Sequence, residues 1–283
     1  MDNTAEVIVE LDPIKVEQEL NLIRYRRALA RRNFMKNVGL AGVGIAAGAM
    51  IEGCSNNSVT NAQTPAIPQT DVLNFALNLE YLEAEFYSVA TTGATLSSSV
   101  TGATSNATGG AKVTFTDSRV ADIAAEINTD ETLHVKFLRS ALGGSAVAEP
   151  AINLNALGIG FASQAQFLTL ARAFEDTGVS AYAGAATLLS GNNLQYAAQI
   201  LATEAYHAGN IRLYCIQDAI TVPATDAMDI PPTEQHFFPT DANGLAIKRT
   251  TSQVLSIVYA NATAGTKSGG FYPNGVNGNI NTV

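Results

Sequence analysis

The chain has 283 residues, 47% of them hydrophobic and only 14% charged, with a formal net charge of −9. That length allows one sizeable core or two modest domains, and the Ala-rich, lightly charged composition suits packed helices rather than disorder. The acidic balance argues against nucleic acid as a partner, because such a partner requires a basic face. The two cysteines, Cys54 and Cys215, provide no disulfide framework.

The N-terminal segment reads as an address. Val38 to Ile51 is an apolar run rich in Gly and Ala behind a basic start. It is shorter than the roughly 20 residues a bilayer requires but suits the hydrophobic part of a signal peptide. Arg31 and Arg32, in Arg31-Arg32-Asn33-Phe34-Met35-Lys36, resemble a twin-arginine export motif. The alternative is a buried Ala/Gly helix with a basic start. Ile51-Glu52-Gly53-Cys54 resembles a lipobox that would lipidate Cys54, although Glu52 fits it poorly; cleavage between Gly53 and Ala66 would instead give an unanchored product. Residues 1–54 are therefore read as a signal segment and 55–70 as a polar tether. From Ser55 onward, 9 basic and 18 acidic residues keep the whole −9. The expected location is the periplasm or cell envelope, with a lipid anchor as one option.

A four-helix region follows over 71–221. In "DVLNFALNLEYLEAEFYSVA", Asp71 can cap the start, and Leu73, Ala76, Leu77, Glu80, Ala84 and Tyr87 form one stripe. Glu80 sits in the middle of that stripe. Glu83 lies at its edge, compatible with either environment, and Glu85 falls on the opposite face, the place of a solvated charge. Residues 88–116 are Ser/Thr/Gly/Ala-rich and read as a long surface loop, with a small β-hairpin near "AKVTFT" as one form.

A second helix is predicted from Asp117 to Leu142, stopped by Gly143-Gly144, with Val120, Ala124, Ile127, Glu131, His134, Val135, Leu138 and Leu142 on its stripe. After a connection containing Pro150, a third spans Gln164 to Leu189, with Leu168, Ala171, Glu175, Val179, Tyr182 and Ala186 in line. A fourth is predicted over Leu194–Ile220, where Glu204 and His207 interrupt the apolar face of "ILATEAYHAGNIRLY". Cys215, two turns beyond His207, reads as a buried thiol. Arg139 and Arg212 hold similar places after the two Glu-x-x-His pairs, as surface charges or interhelix ion partners.

The order is thus Glu80, Glu131/His134, Glu175, Glu204/His207: one half of the bundle repeats the other. Residues three apart on a helix point the same way. Each Glu-x-x-His pair therefore offers a carboxylate and an imidazole to one place in the core. Four buried carboxylates require neutralisation, and two divalent cations would supply it. The mixed oxygen and nitrogen donors suit iron or manganese. Tyr87 and Tyr182 each follow a stripe glutamate by seven residues. They are either aromatic core residues or hydrogen-bond donors to ligand carboxylates across the bundle.

This pattern resembles the ferritin-like di-iron and di-manganese carboxylate proteins. "LNFALNLEYLEAEFY", "DETLHVKFL", "FEDTGVSAYAGA", "ILATEAYHAGNIRLY" and the tail "RTTSQVLSIVYANATAGTKSGGFYPNGVNGNI" are similar to the bacterial and plant desiccation-related group within them. The resemblance implies an all-α ferritin-like bundle with one long crossover between the second and third helices. It also implies a metal role for Glu80, Glu131, His134, Glu175, Glu204 and His207, with two metal ions as cofactors and iron favoured over manganese. Proteins of that fold store iron or act as peroxidases, catalases or oxygenases.

Residues 222–283 are expected to wrap the bundle as an extension carrying one short helix, Thr251–Ala262, with His236 in a loop as a structural or exposed residue. The leading functional expectation is an exported protein whose di-metal centre reacts with oxygen or hydrogen peroxide in oxidative or desiccation stress. The alternatives are a non-catalytic envelope or stress-interaction module working through loop 91–110 and the tail, and iron storage, which requires a multi-subunit shell. A homo-oligomer is open in each case.

Overall fold

The computed structural model describes residues 67–283. The twin-arginine motif at Arg31 and Arg32, the lipobox-like Cys54 and the tether up to residue 66 lie outside the described residues. Among the described residues, four long helices form the bundle: α1 (Gln69–Thr92), α2 (Ser118–Leu142), α3 (Gln164–Ala185) and α4 (Gly191–Gln217). A short α5 (Thr251–Val258) belongs to the C-terminal extension. None of these helices is long and apolar enough to cross a membrane.

The helix ends follow local chemistry. The Asp117 carboxylate accepts from Arg119 N at the start of α2, Ser163 accepts from Gln166 N at the start of α3, and Thr250 and Gln253 form a reciprocal capping box on α5. α4 and α5 end earlier than periodicity predicts, because Ala219 and Ala260 adopt positive φ (51° and 50°). Their chain reversals are closed by Ile220 N to Cys215 O and Asn261 N to Ser256 O. The third helix stops at Ala185 and continues as a 3-10 turn over Ala186–Leu188.

Hydrogen bonds between helix ends fix the topology. Asn74, near the start of α1, donates to Ser145 O just beyond α2, so these two helices run antiparallel. Gln164, the first residue of α3, donates to Asp218 at the end of α4, making the second antiparallel pair. Gln164 also accepts from Thr116 N and Asp117 N at the start of α2. The 143–163 connection therefore runs the length of the bundle, the single long crossover expected from the sequence.

The Ser/Thr-rich insert forms no hairpin. A one-turn helix (Ser98–Thr101) is followed by β1 (Ala107–Thr108), which pairs in parallel with β2 (Ile152–Asn153) of the crossover, Ala107 opposite Ile152. This pairing joins residues 45 apart in the chain, and no local pattern announces it.

α1 also departs from expectation, being buried almost continuously from Val72 to Ala90. The insert covers one flank and the tail another: Tyr272 donates to Asn78 O, and Asn277 N donates to Asn78 Oδ1. Glu85, predicted to be solvated, is fully buried beneath the insert, where it accepts from Leu96 N and Ser105 Oγ. The tail enters the core through Phe271, Tyr272 and Val276.

Buried ion pairs fasten the extension. Arg212 of α4 donates to Asp176 of α3 (2.6 Å) and to the carbonyls of Ile230, His236 and Phe237. Arg172 bonds Asp229 at 2.6 Å and the Pro223 carbonyl. Arg139 instead donates to the Tyr81 hydroxyl. Cys215 is a buried thiol against Leu168 O, pushed up to about 12 by burial.

Candidate metal centre

The structure brings all six sequence-predicted ligands to one place inside the bundle. Glu80 comes from α1, Glu131 and His134 from α2, Glu175 from α3, and Glu204 and His207 from α4. Their donor atoms fall into two groups, each within 4.8 Å: Glu80, Glu131, His134 and Glu204, and Glu131, Glu175, Glu204 and His207. Glu131 and Glu204 belong to both.

Both imidazoles turn Nδ1 inward. His134 Nδ1 lies 3.1 Å from Glu80 Oε2, 3.3 Å from Glu131 Oε2 and 3.4 Å from Glu204 Oε1. His207 Nδ1 lies 3.0 Å from Glu131 Oε1 and 3.4 Å from Glu175 Oε2. The two tyrosines close the pattern: Tyr87 of α1 donates to Glu175 of α3, and Tyr182 of α3 donates to Glu80 of α1.

The donors are poorly satisfied by one another. Glu131 Oε1, Glu175 Oε2, both Glu204 oxygens and His207 Nδ1 are buried without a hydrogen-bond partner, although several stand in close contact. A buried polar atom left without a partner costs roughly 1–3 kcal/mol. Five of them converging on one point mark a place built for something else. Their chemistry, carboxylate oxygens with imidazole nitrogens, fits divalent iron or manganese.

The electrostatics agree. Burial, reinforced by Glu80, raises Glu131 to about 7. Burial and the neighbouring carboxylates hold Glu204 well above the usual carboxylate range. Burial opposes the charged form of both histidines, but the glutamates around them outweigh it, raising His134 strongly and His207 to about 12. Burial also works against the charge of Glu80, yet His134 beside it keeps that carboxyl lowered. Four buried carboxylates around two imidazoles are a surplus of negative charge that two divalent cations would neutralise.

Three neighbours escaped the sequence reading. Asp130 Oδ2 lies 3.1 Å from His207 Nε2, fixing the outer side of that ring. It sits one residue off the apolar stripe, so periodicity gives no sign of it. Glu83 is a fifth glutamate at the cluster, beside the four ligand glutamates, raised well above its usual range by burial and then by Glu204; its edge position was the available hint. Gly178 on α3 leaves room for both carboxylates. A Cβ there would collide with Glu204 Oε2 and stand 3.1 Å from Glu83 Oε1. A mid-helix glycine costs about 1 kcal/mol relative to alanine, which is the signal a sequence reader could use.

No curated relative matches the chain. The ferritin-like domain family matches residues 68–217, more than half of the chain and the whole of the segment that carries the six ligands. Bundle, crossover, buried carboxylate–histidine cluster and family match agree, and the chain belongs to the ferritin-like domain family.

Proposed function

We propose that the cluster holds two metal ions, iron in preference to manganese, and that the centre reacts with oxygen or hydrogen peroxide to limit oxidative or desiccation damage. The observation that carries this reading is the sharing of Glu131 and Glu204 between two ligand groups, the arrangement expected of carboxylates that serve two cations. Glu80 and His134 would complete one set, and Glu175 and His207 the other. When bound, such ions bind and activate the oxidant.

The chain's own residues do the rest. Tyr87 and Tyr182 orient the carboxylates of Glu175 and Glu80. Asp130 sets the ring of His207. Leu77, Ile127, Val135 and Leu138, each one helical turn from a ligand on its own helix, are buried apolar residues that help to exclude bulk water. The twin-arginine motif supports export to the periplasm or cell envelope, and the desiccation-like strings support a stress role.

One observation favours a second reading. All four ligand glutamates are without exposed surface, as suits ions bound only for stability on a scaffold that acts through its surface.

The test is elemental analysis of the 283-residue chain purified without chelator, beside Glu131→Gln/Glu204→Gln. About two iron or manganese ions per chain, lost in the variant, with peroxide or oxygen consumption by the parent, is the expected result. Absence of bound metal after reconstitution with either ion overturns the reading. Bound metal without turnover leaves the structural role.

A further inference from the structure

The cluster is enclosed, so ions must reach it by some route. Among the six ligands only the histidines keep exposed side-chain surface, 11% for His134 and 7% for His207. Access therefore lies on the face shared by α2 and α4.

A cleft of about 150 Å³ opens there, with Glu126 and Asp130 from α2 facing Thr203, Tyr206, His207 and Asn210 from α4. No lysine or arginine lines it. Tyr206 stands at 71% exposure. On the opposite face, the cavity beside Glu83 and Gly178 measures about 10 Å³, no more than one water would fill and too small for a hydrated ion.

His207 is the wall between cleft and cluster. Its Nε2 faces Asp130 Oδ2 at 3.1 Å, and its Nδ1, buried without a hydrogen bond, lies among the ligand carboxylates. The ring is thus held from outside by one carboxylate and surrounded inside by others.

We propose that this cleft is the port by which divalent cations load the centre, with Glu126 and Asp130 receiving the ion and the His207 ring as its gate. The inference rests on the cluster being a metal site. A divalent ion sheds water in exchange for carboxylate oxygens, and two carboxylates with no lysine or arginine beside them provide that exchange at the mouth. An ion that draws Asp130 to itself also takes away the contact holding His207. The ring is then free to turn and admit the ion toward Glu131 and Glu175.

The test uses cobalt(II) as the probe, added to the metal-free 283-residue chain and followed by its visible absorption in a stopped-flow instrument at several salt concentrations. Asp130→Asn keeps an oxygen that can accept from His207 while removing the charge, and Glu126→Gln removes the outer charge. The double variant is expected to take up cobalt about tenfold more slowly at low salt, since a cleft of one charge sign raises on-rates by 10-fold or more. Its salt dependence should flatten, and Glu126→Gln alone, which touches no ligand, should slow uptake in the same direction with the final stoichiometry unchanged. Glu234→Gln, an exposed acid on the extension, should behave as the parent does. Asp130→Ala, which frees the ring, should speed cobalt release into a chelator.

Equal uptake rates and equal salt dependence in parent and double variant overturn the port. Loss of stoichiometry in Glu126→Gln makes that acid part of the site and also overturns the port. A parent chain that takes up no cobalt overturns the metal reading and the port together.

Discussion

The Tyr87 hydroxyl on α1 donates to Glu175 on α3 at 2.5 Å, while Tyr182 on α3 returns the same bond to Glu80 on α1. Each helix pair thus steadies a carboxylate of the other. Removing one hydroxyl leaves the ring in the core and the carboxylate free to swing. Tyr87→Phe and Tyr182→Phe should each weaken metal binding roughly 10–100-fold while the fold is retained. Chelator competition measures it; affinity equal to the parent's would make the tyrosines core residues alone.

Gly178 offers a cleaner separation of folding from binding. Alanine there improves helix propensity by about 1 kcal/mol, but its Cβ would collide with Glu204 Oε2. Gly178→Ala should therefore keep or raise the melting temperature of the metal-free protein and lower its metal content. Full metal content in the variant would show that Glu204 can retreat without loss.

A second buried acid pair predicts a pH effect away from the centre. The Ser105 hydroxyl stands 2.6 Å from Glu85 Oε1 and 3.4 Å from Glu149 Oε1, and Asn106 N donates to Glu149 Oε2. Arg139 and Tyr81 are the other polar groups nearby. Burial, then Glu85, raises Glu149 from 4.5 to about 8. A carboxyl whose folded pKa is raised contributes stability that is whole below pH 4.5 and lost as pH rises through about 8. The melting temperature should fall between pH 4.5 and about 8, and Glu149→Gln should reduce that fall. An unchanged fall in the variant would place its origin elsewhere.

Arg212 is the buried anchor of the C-terminal extension. Its loss leaves Asp176, already raised to about 6 by burial against the pull of Arg212 and Arg172, with Arg172 at 3.6 Å as its remaining charge partner. Arg212→Ala should cost about 3 kcal/mol, roughly 5–10 °C in melting temperature, and open residues 222–250 to limited proteolysis. Parent-like protease resistance would show that Arg172 and Asp229 suffice.

Helical periodicity made much of the centre legible because α2 and α4 each have a wet side. A glutamate or histidine in the dry stripe of such a helix is conspicuous, and Glu131, His134, Glu204 and His207 were visible for that reason, whereas α3 is buried all round from Phe174 to Tyr182 and Glu175 stood out by repeating the place of Glu80. α1 has no wet side, since insert and tail cover it, and the logic that found Glu80 misplaced Glu85. Asp130 acts across helices from a position off the stripe. The β1–β2 pairing and the arginine anchors join segments far apart in the chain, and local patterns carry no trace of such partners.

The sharing of Glu131 and Glu204 has a bearing on how the two halves find their alignment. Neither antiparallel pair holds a complete ligand group: Glu80, Glu131 and His134 need Glu204, and Glu175, Glu204 and His207 need Glu131. A slip of one helical turn, about 5.4 Å, would still bring Ala and Leu faces together. It would also strand four carboxylates and two imidazoles opposite apolar side chains. Chemistry at the centre therefore sets the register that packing alone leaves loose, and the cluster acts as the bundle's alignment key.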